Sequence, residues 1–122
     1  MADTKFLYEQ LLDKMREYRL HYSEVPNYIT ENIKYNLFDW QKKALEYFFD
    51  YQQVKVQENP NDATHLLFNM ATGTGKTLVM ASLILYYYKQ GYRHFLFFVN
   101  QNNIVGKTEN NLLDPTHNKY LF

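Results

Sequence analysis

The run Met70-Ala71-Thr72-Gly73-Thr74-Gly75-Lys76-Thr77 has the residue types and the spacing of a phosphate-binding loop. Gly73 and Gly75 carry no Cβ, so the backbone can take unusual dihedrals and bring its N–H groups against phosphate oxygens. Lys76 has the reach to set positive charge on the β- and γ-phosphates, and the Thr77 hydroxyl suits a Mg²⁺ ion. The run departs from the usual pattern at its first glycine, where this chain has Met70. The predicted chemistry is binding of a magnesium nucleoside triphosphate. Backbone N–H groups of Thr72, Gly73, Thr74, Gly75, Lys76 and Thr77 form the cradle, and Lys76 is the catalytic candidate.

Such a loop works only where a strand delivers it and a helix leaves it. His65 to Asn69 reads as a short buried strand, and Leu78 to Lys89 as a helix whose N-terminus points unpaired N–H groups at the phosphates. That helix is apolar almost all round, which predicts burial on more than one side. Gly91 stops it, and His94 to Val99 reads as a second buried strand without alternation. Strand, helix, strand predicts a βαβ unit in a parallel sheet, hence an α/β fold. Upstream, residues 4 to 20 read as an amphipathic helix capped by Thr4, and Ser23 to Tyr35 as irregular. A helix from about Phe38 to Val54, capped near Asn36, places Trp40, Ala44, Leu45, Phe48 and Phe49 on its buried side. A short helix to about Leu112 follows Asn100-Gln101-Asn102-Asn103.

The remaining composition narrows the classes. The 122 residues suffice for one small domain. Net charge is zero, with 13 basic and 13 acidic residues, so nucleic acid must be gripped locally rather than by a broad basic field. The absence of cysteine excludes disulfides and thiolate metal sites and fits a reducing cytoplasm. No apolar run approaches the roughly 20 residues of a membrane span. His21, His65, His94 and His117 lack metal-ligand spacing. Tyr86, Tyr87 and Tyr88 face different directions on a helix, which favours packing over a base-stacking platform.

Phosphoryl chemistry also needs an acid for Mg²⁺ and a residue that orients water. After Thr77 the only acids are Glu109 and Asp114, and neither ends an apolar strand. The chain therefore reads as the front of a larger motor, binding nucleotide weakly and hydrolysing essentially none by itself.

Three stretches in order resemble superfamily 2 helicases and translocases, over about Tyr28 to Asn111. Met70 to Thr77 is similar to the family's motif I, in the form seen in restriction-enzyme motor subunits. Leu37-Phe38-Asp39-Trp40-Gln41-Lys42-Lys43-Ala44 is similar to the helix bearing the adenine-reading glutamine. Phe97 to Val105 is similar to motif Ia, which contacts the nucleic-acid backbone, although Asn100 stands where that motif often has proline. The resemblance implies that Gln41 reads adenine, for which one amide donor and one acceptor match N6 and N7. It implies DNA contacts from Asn100, Gln101 and Asn102, whose neutral amides suit phosphate oxygens.

Type III restriction subunits begin with their motor, whereas type I subunits place a nuclease ahead of it. With the loop starting at Met70, and Val25-Pro26-Asn27-Tyr28-Ile29 leading into the glutamine helix, the chain resembles the N-terminal part of a type III restriction enzyme Res subunit. The expected architecture is an N-terminal helical extension over 1–35, then the incomplete start of a RecA-like ATPase domain over 36–122. ATP and Mg²⁺ are the implied cofactors, single- or double-stranded DNA and a methyltransferase subunit the implied partners. A stand-alone superfamily 2 DNA helicase is an alternative, as are a P-loop phosphotransferase and an interaction module without catalysis.

Overall fold

A computed structural model describes residues 6–71, 75–98, 102–117 and 120–122, with the backbone alone at 102–104. Among these residues five helices occur in order: α1 (Leu7–Glu17), α2 (Asn27–Thr30), α3 (Asp39–Glu58), α4 (Lys76–Lys89) and α5 (Asn102–Leu112). The chain divides into two compact units, one of Met1–Val25 with Lys42–Asn69, the other of Pro26–Gln41 with Met70–Phe122.

In the first unit, α1 buries Leu11 and Met15, one helical turn apart, against Val54 of α3. Tyr18, Leu20 and Tyr51 close around this cluster. At its edge the Glu58 carboxylate accepts from Lys14 Nζ at 2.8 Å and from the Tyr18 hydroxyl at 3.1 Å. Helix α1 begins at Leu7, where Glu9 accepts the N–H of the N-cap residue Phe6 at 3.1 Å. The expected cap Thr4 lies outside the described residues. Helix α1 ends in a Schellman motif. Leu20 N–H donates to Met15 O and Arg19 N–H to Arg16 O, with Arg19 left-handed at φ 55°. The returning segment is pinned along α3: Ser23 N–H donates to the buried Asp50 carboxylate at 2.8 Å, and Gln53 Nε2 to His21 O and Ser23 Oγ.

The second unit is built around α4, which buries Leu78, Val79, Ala81 and Ser82. The Ser82 hydroxyl would be an unpaired donor in that core, and it donates to Leu78 O at 2.8 Å. Within the stretch expected to be irregular, Pro26 supplies the fixed φ that starts α2. That short helix packs on α4, with Ile29 fully buried and Lys89 Nζ 4.3 Å from the centre of the Tyr28 ring. Gly91, at φ 108°, ends α4 in a second Schellman motif, Tyr92 N–H donating to Tyr87 O and Gly91 N–H to Tyr88 O. The three consecutive tyrosines do diverge. Tyr86 meets Tyr87 edge-on, Tyr87 meets Tyr92, and Tyr88 lies under Arg93. Leu121 is buried and tied on both sides, its N–H to Asn111 O and its carbonyl to Lys34 N–H. Helices α4 and α5, residues 95–97 and Phe122 line an apolar cavity of about 510 Å³.

The expected α/β fold with a RecA-like parallel sheet is overturned. The described residues form helices and no strand. Residues 64–70 do run with alternating accessibility, Leu66 and Phe68 half-buried and Leu67 92% exposed. Phe68 packs near Phe48, but the segment pairs its backbone with no neighbouring strand. Of the buried strand expected from His94 to Val99, residues 94–98 are described and are exposed throughout, Leu96 and Phe98 at 85% and 86%. The physical reason is that an apolar run signals a tendency to be buried, whereas a strand exists only where a second strand accepts its N–H groups. Among the described residues neither run has a second strand beside it. Helices satisfy their own backbone, which is why the helical expectations survive.

Candidate phosphate-binding site

Gly75 is the pivot of the described part of the loop. It sits left-handed at φ 78° and ψ 42° as the N-cap of α4. Glycine alone takes that conformation without a Cβ penalty. Its carbonyl begins the helical ladder by accepting Leu78 N–H at 3.1 Å. Lys76 and Thr77 follow as the first two residues of α4, Lys76 exposed and Thr77 half-buried. They therefore stand where the first-turn N–H groups have no partner within the helix and where the helix dipole is positive. Burial of Leu78, Val79, Ala81 and Ser82 directly behind them holds this end of the helix in place.

Gln41 comes to the same point from the first turn of α3. Its Nε2 donates to the Gly75 carbonyl at 3.1 Å, and its Oε1 accepts Phe38 N–H at 2.8 Å. At 1% exposure it is one of the most deeply buried polar side chains described. The contact is close enough that a Cβ on residue 75 would overlap the Gln41 amide nitrogen. Glycine at 75 is thus required both by its own dihedrals and by its neighbour.

Two aromatic side chains flank that buried amide in sequence. Phe38 and Trp40 are 59% and 51% exposed, and their rings stack at 4.7 Å with 15° between planes. The sequence reading placed Trp40 on the buried side of its helix, and the structure corrects this. Leu45, Phe48 and Phe49 are buried as expected and Ala44 half-buried, but at the start of the helix the buried position is Gln41 and not Trp40. A glutamine on an apolar stripe hides the phase, and no composition signal marks it as a core residue.

Of the other predicted site residues, Thr72, Gly73 and Thr74 lie outside the described residues, as do Asn100 and Gln101. Asn102 opens α5, and its side chain is likewise outside them. The two acids downstream of the loop have other surroundings. Asp114 accepts from the Thr116 hydroxyl at 2.6 Å and Thr116 N–H at 3.0 Å, and these bonds hold its carboxyl below the ordinary carboxylate value. Glu109 lines the apolar cavity beside α4. Among the described residues no group of three or more His, Asp or Glu is placed to hold a metal, and no helix is long and apolar enough to cross a membrane.

No solved structure matches the chain. A probable type III restriction-modification enzyme HindVIP Res subunit from Haemophilus influenzae is 52% identical over 130 aligned positions, which take in 100% of this chain and 25% of that protein. The chain thus spans about a quarter of the length of the curated relative it matches. The family model described as "Type III restriction enzyme, res subunit" matches residues 34–122, a span that contains Gln41, the loop and all of α4 and α5. With most of its length matched, this chain belongs to the type III restriction enzyme Res subunit family.

Proposed function

We propose that this chain forms the nucleotide-binding part of an ATP-hydrolysing DNA motor of a type III restriction enzyme. The observation that carries the reading is the α4 N-terminus: a left-handed Gly75 followed by an exposed Lys76 and by Thr77. That terminus offers phosphate three things at once, unpaired N–H groups, a positive dipole end and a lysine ammonium. In this reading Lys76 would stabilise charge on the β- and γ-phosphates, and the Thr77 hydroxyl would hold Mg²⁺. Thr72, Gly73 and Thr74 complete the cradle, and Gln41 distinguishes adenine from guanine. Magnesium would supply charge neutralisation between the phosphates. Residues 36–122 carry these functions, with 1–35 as an extension ahead of them.

The proposed partners are DNA and a methyltransferase subunit, a reading that family membership supports. Asn100, Gln101 and Asn102 contact the DNA backbone without reading sequence, and a methyltransferase subunit recognises the site. Restriction-modification in the name of the relative supports such a pairing. The decisive variant is Lys76→Ala in the complete Res subunit with its partner. ATP turnover should fall by a factor of at least about 100, since removing a single preorganised charge contact from a transition state costs that much. Circular dichroism should be unchanged, because Lys76 is exposed. Retained turnover in a folded variant contradicts the assignment.

A further inference from the structure

We propose that Gln41 is a positioning residue for the phosphate loop, holding Gly75 in its left-handed conformation whether or not a base is bound. The inference rests on the nucleotide-binding reading and adds to it a role for Gln41 that does not involve adenine. A residue that only reads a base needs its amide at a surface a base can reach. Gln41 is 1% exposed, and both polar atoms of its amide are bonded to backbone, Nε2 to Gly75 O and Oε1 to Phe38 N–H. The bond spans 34 residues of sequence, so it ties the first turn of α3 to the first turn of α4.

The Gly75 carbonyl orients the peptide that joins it to Lys76. Fixing that carbonyl therefore fixes where the Lys76 N–H points, and this is one of the groups that faces a phosphate in the proposed site. Glycine has many backbone states open to it, so an unheld Gly75 would spread over them and each binding event would have to order it again. A buried amide bonded to that carbonyl removes that cost in advance. The sequence itself supports a shaped contact, because any side chain at 75 would strike the Gln41 nitrogen.

Magnesium tripolyphosphate separates the two roles, since it has the phosphates and no base. Calorimetric titration of this chain should give binding of Mg·tripolyphosphate and Mg·ATP, and Gln41→Met, which keeps the volume and loses both hydrogen bonds, should weaken both by about tenfold. Loss of ATP binding with tripolyphosphate binding unchanged would make Gln41 a base reader only and overturn the proposal. One check needs no variant: hydrogen exchange at Phe38 N–H, which Gln41 Oε1 accepts, should slow when Mg·tripolyphosphate binds, and unchanged exchange counts against the proposal. If the unsubstituted chain binds neither compound, the nucleotide reading itself fails and takes this inference with it.

Discussion

Gly75 and Gln41 illustrate how differently two residues of one site reveal themselves. The glycine and the Lys76-Thr77 pair that follows are legible in the sequence because their chemistry is local: a turn, a charge and a hydroxyl at fixed offsets. The bond from Gln41 to the Gly75 carbonyl is tertiary, and no periodicity announces it. Trp40 was misplaced for the related reason that a buried glutamine occupies the stripe an apolar residue would mark. A second residue-scale feature lies in the first unit, at Glu58. The hydrogen bond from Lys14 holds its carboxyl below the ordinary carboxylate value against the opposing effect of desolvation, with Tyr18 adding a smaller lowering. A depressed carboxylate contributes stability that is present above its unfolded value and is lost as pH falls through its folded value. Melting temperature should therefore drop as pH is lowered from about 5, and Glu58→Gln should flatten that drop while lowering the melting temperature at neutral pH. An identical acid limb in the variant would show that this cluster contributes nothing measurable.

At the scale of elements, the helices were legible where an amphipathic or apolar period is sustained, and their ends where capping chemistry is local. Helix α4 stops where Gly91 was expected to stop it. Helix α1 stops by the same geometry without a glycine, with Arg19 in the left-handed position, and nothing in the sequence marks that end. The cost of a left-handed residue with a Cβ is about 1–2 kcal/mol, partly offset by the greater unfolded freedom of glycine. Arg19→Gly should accordingly stabilise the chain by about 0.5–1 kcal/mol, read as a rise of about 3 °C in melting temperature. A fall would mean that the Arg19 side chain supports the fold in some other way. The failed elements are the apolar runs expected as strands at 65–69 and 94–99, the second described as far as 98. Their composition is that of buried strands, but strand formation depends on a partner that composition does not specify.

For the whole molecule, the resemblance to restriction motors was carried by three short stretches, and the family match over residues 34–122 places the chain in the Res family. Membership was legible because the loop and the stretches before and after it carry particular residue types at fixed spacings. The sheet expected with that membership was not found among the described residues, so family and observed architecture have to be argued separately here. The central claim, that the α4 N-terminus receives the phosphates of a nucleotide, is open to one direct measurement on this chain: its melting temperature against Mg·ATP concentration into the millimolar range, beside Lys76→Ala. Ligand that binds only the folded form stabilises by an amount that grows with the logarithm of its concentration, about 2.7 kcal/mol at a hundredfold excess over Kd. The account predicts a progressive rise with ATP, a smaller one with GTP, and little or none in Lys76→Ala. A melting temperature unmoved by ATP at millimolar concentration, or a rise of equal size in Lys76→Ala, would contradict it.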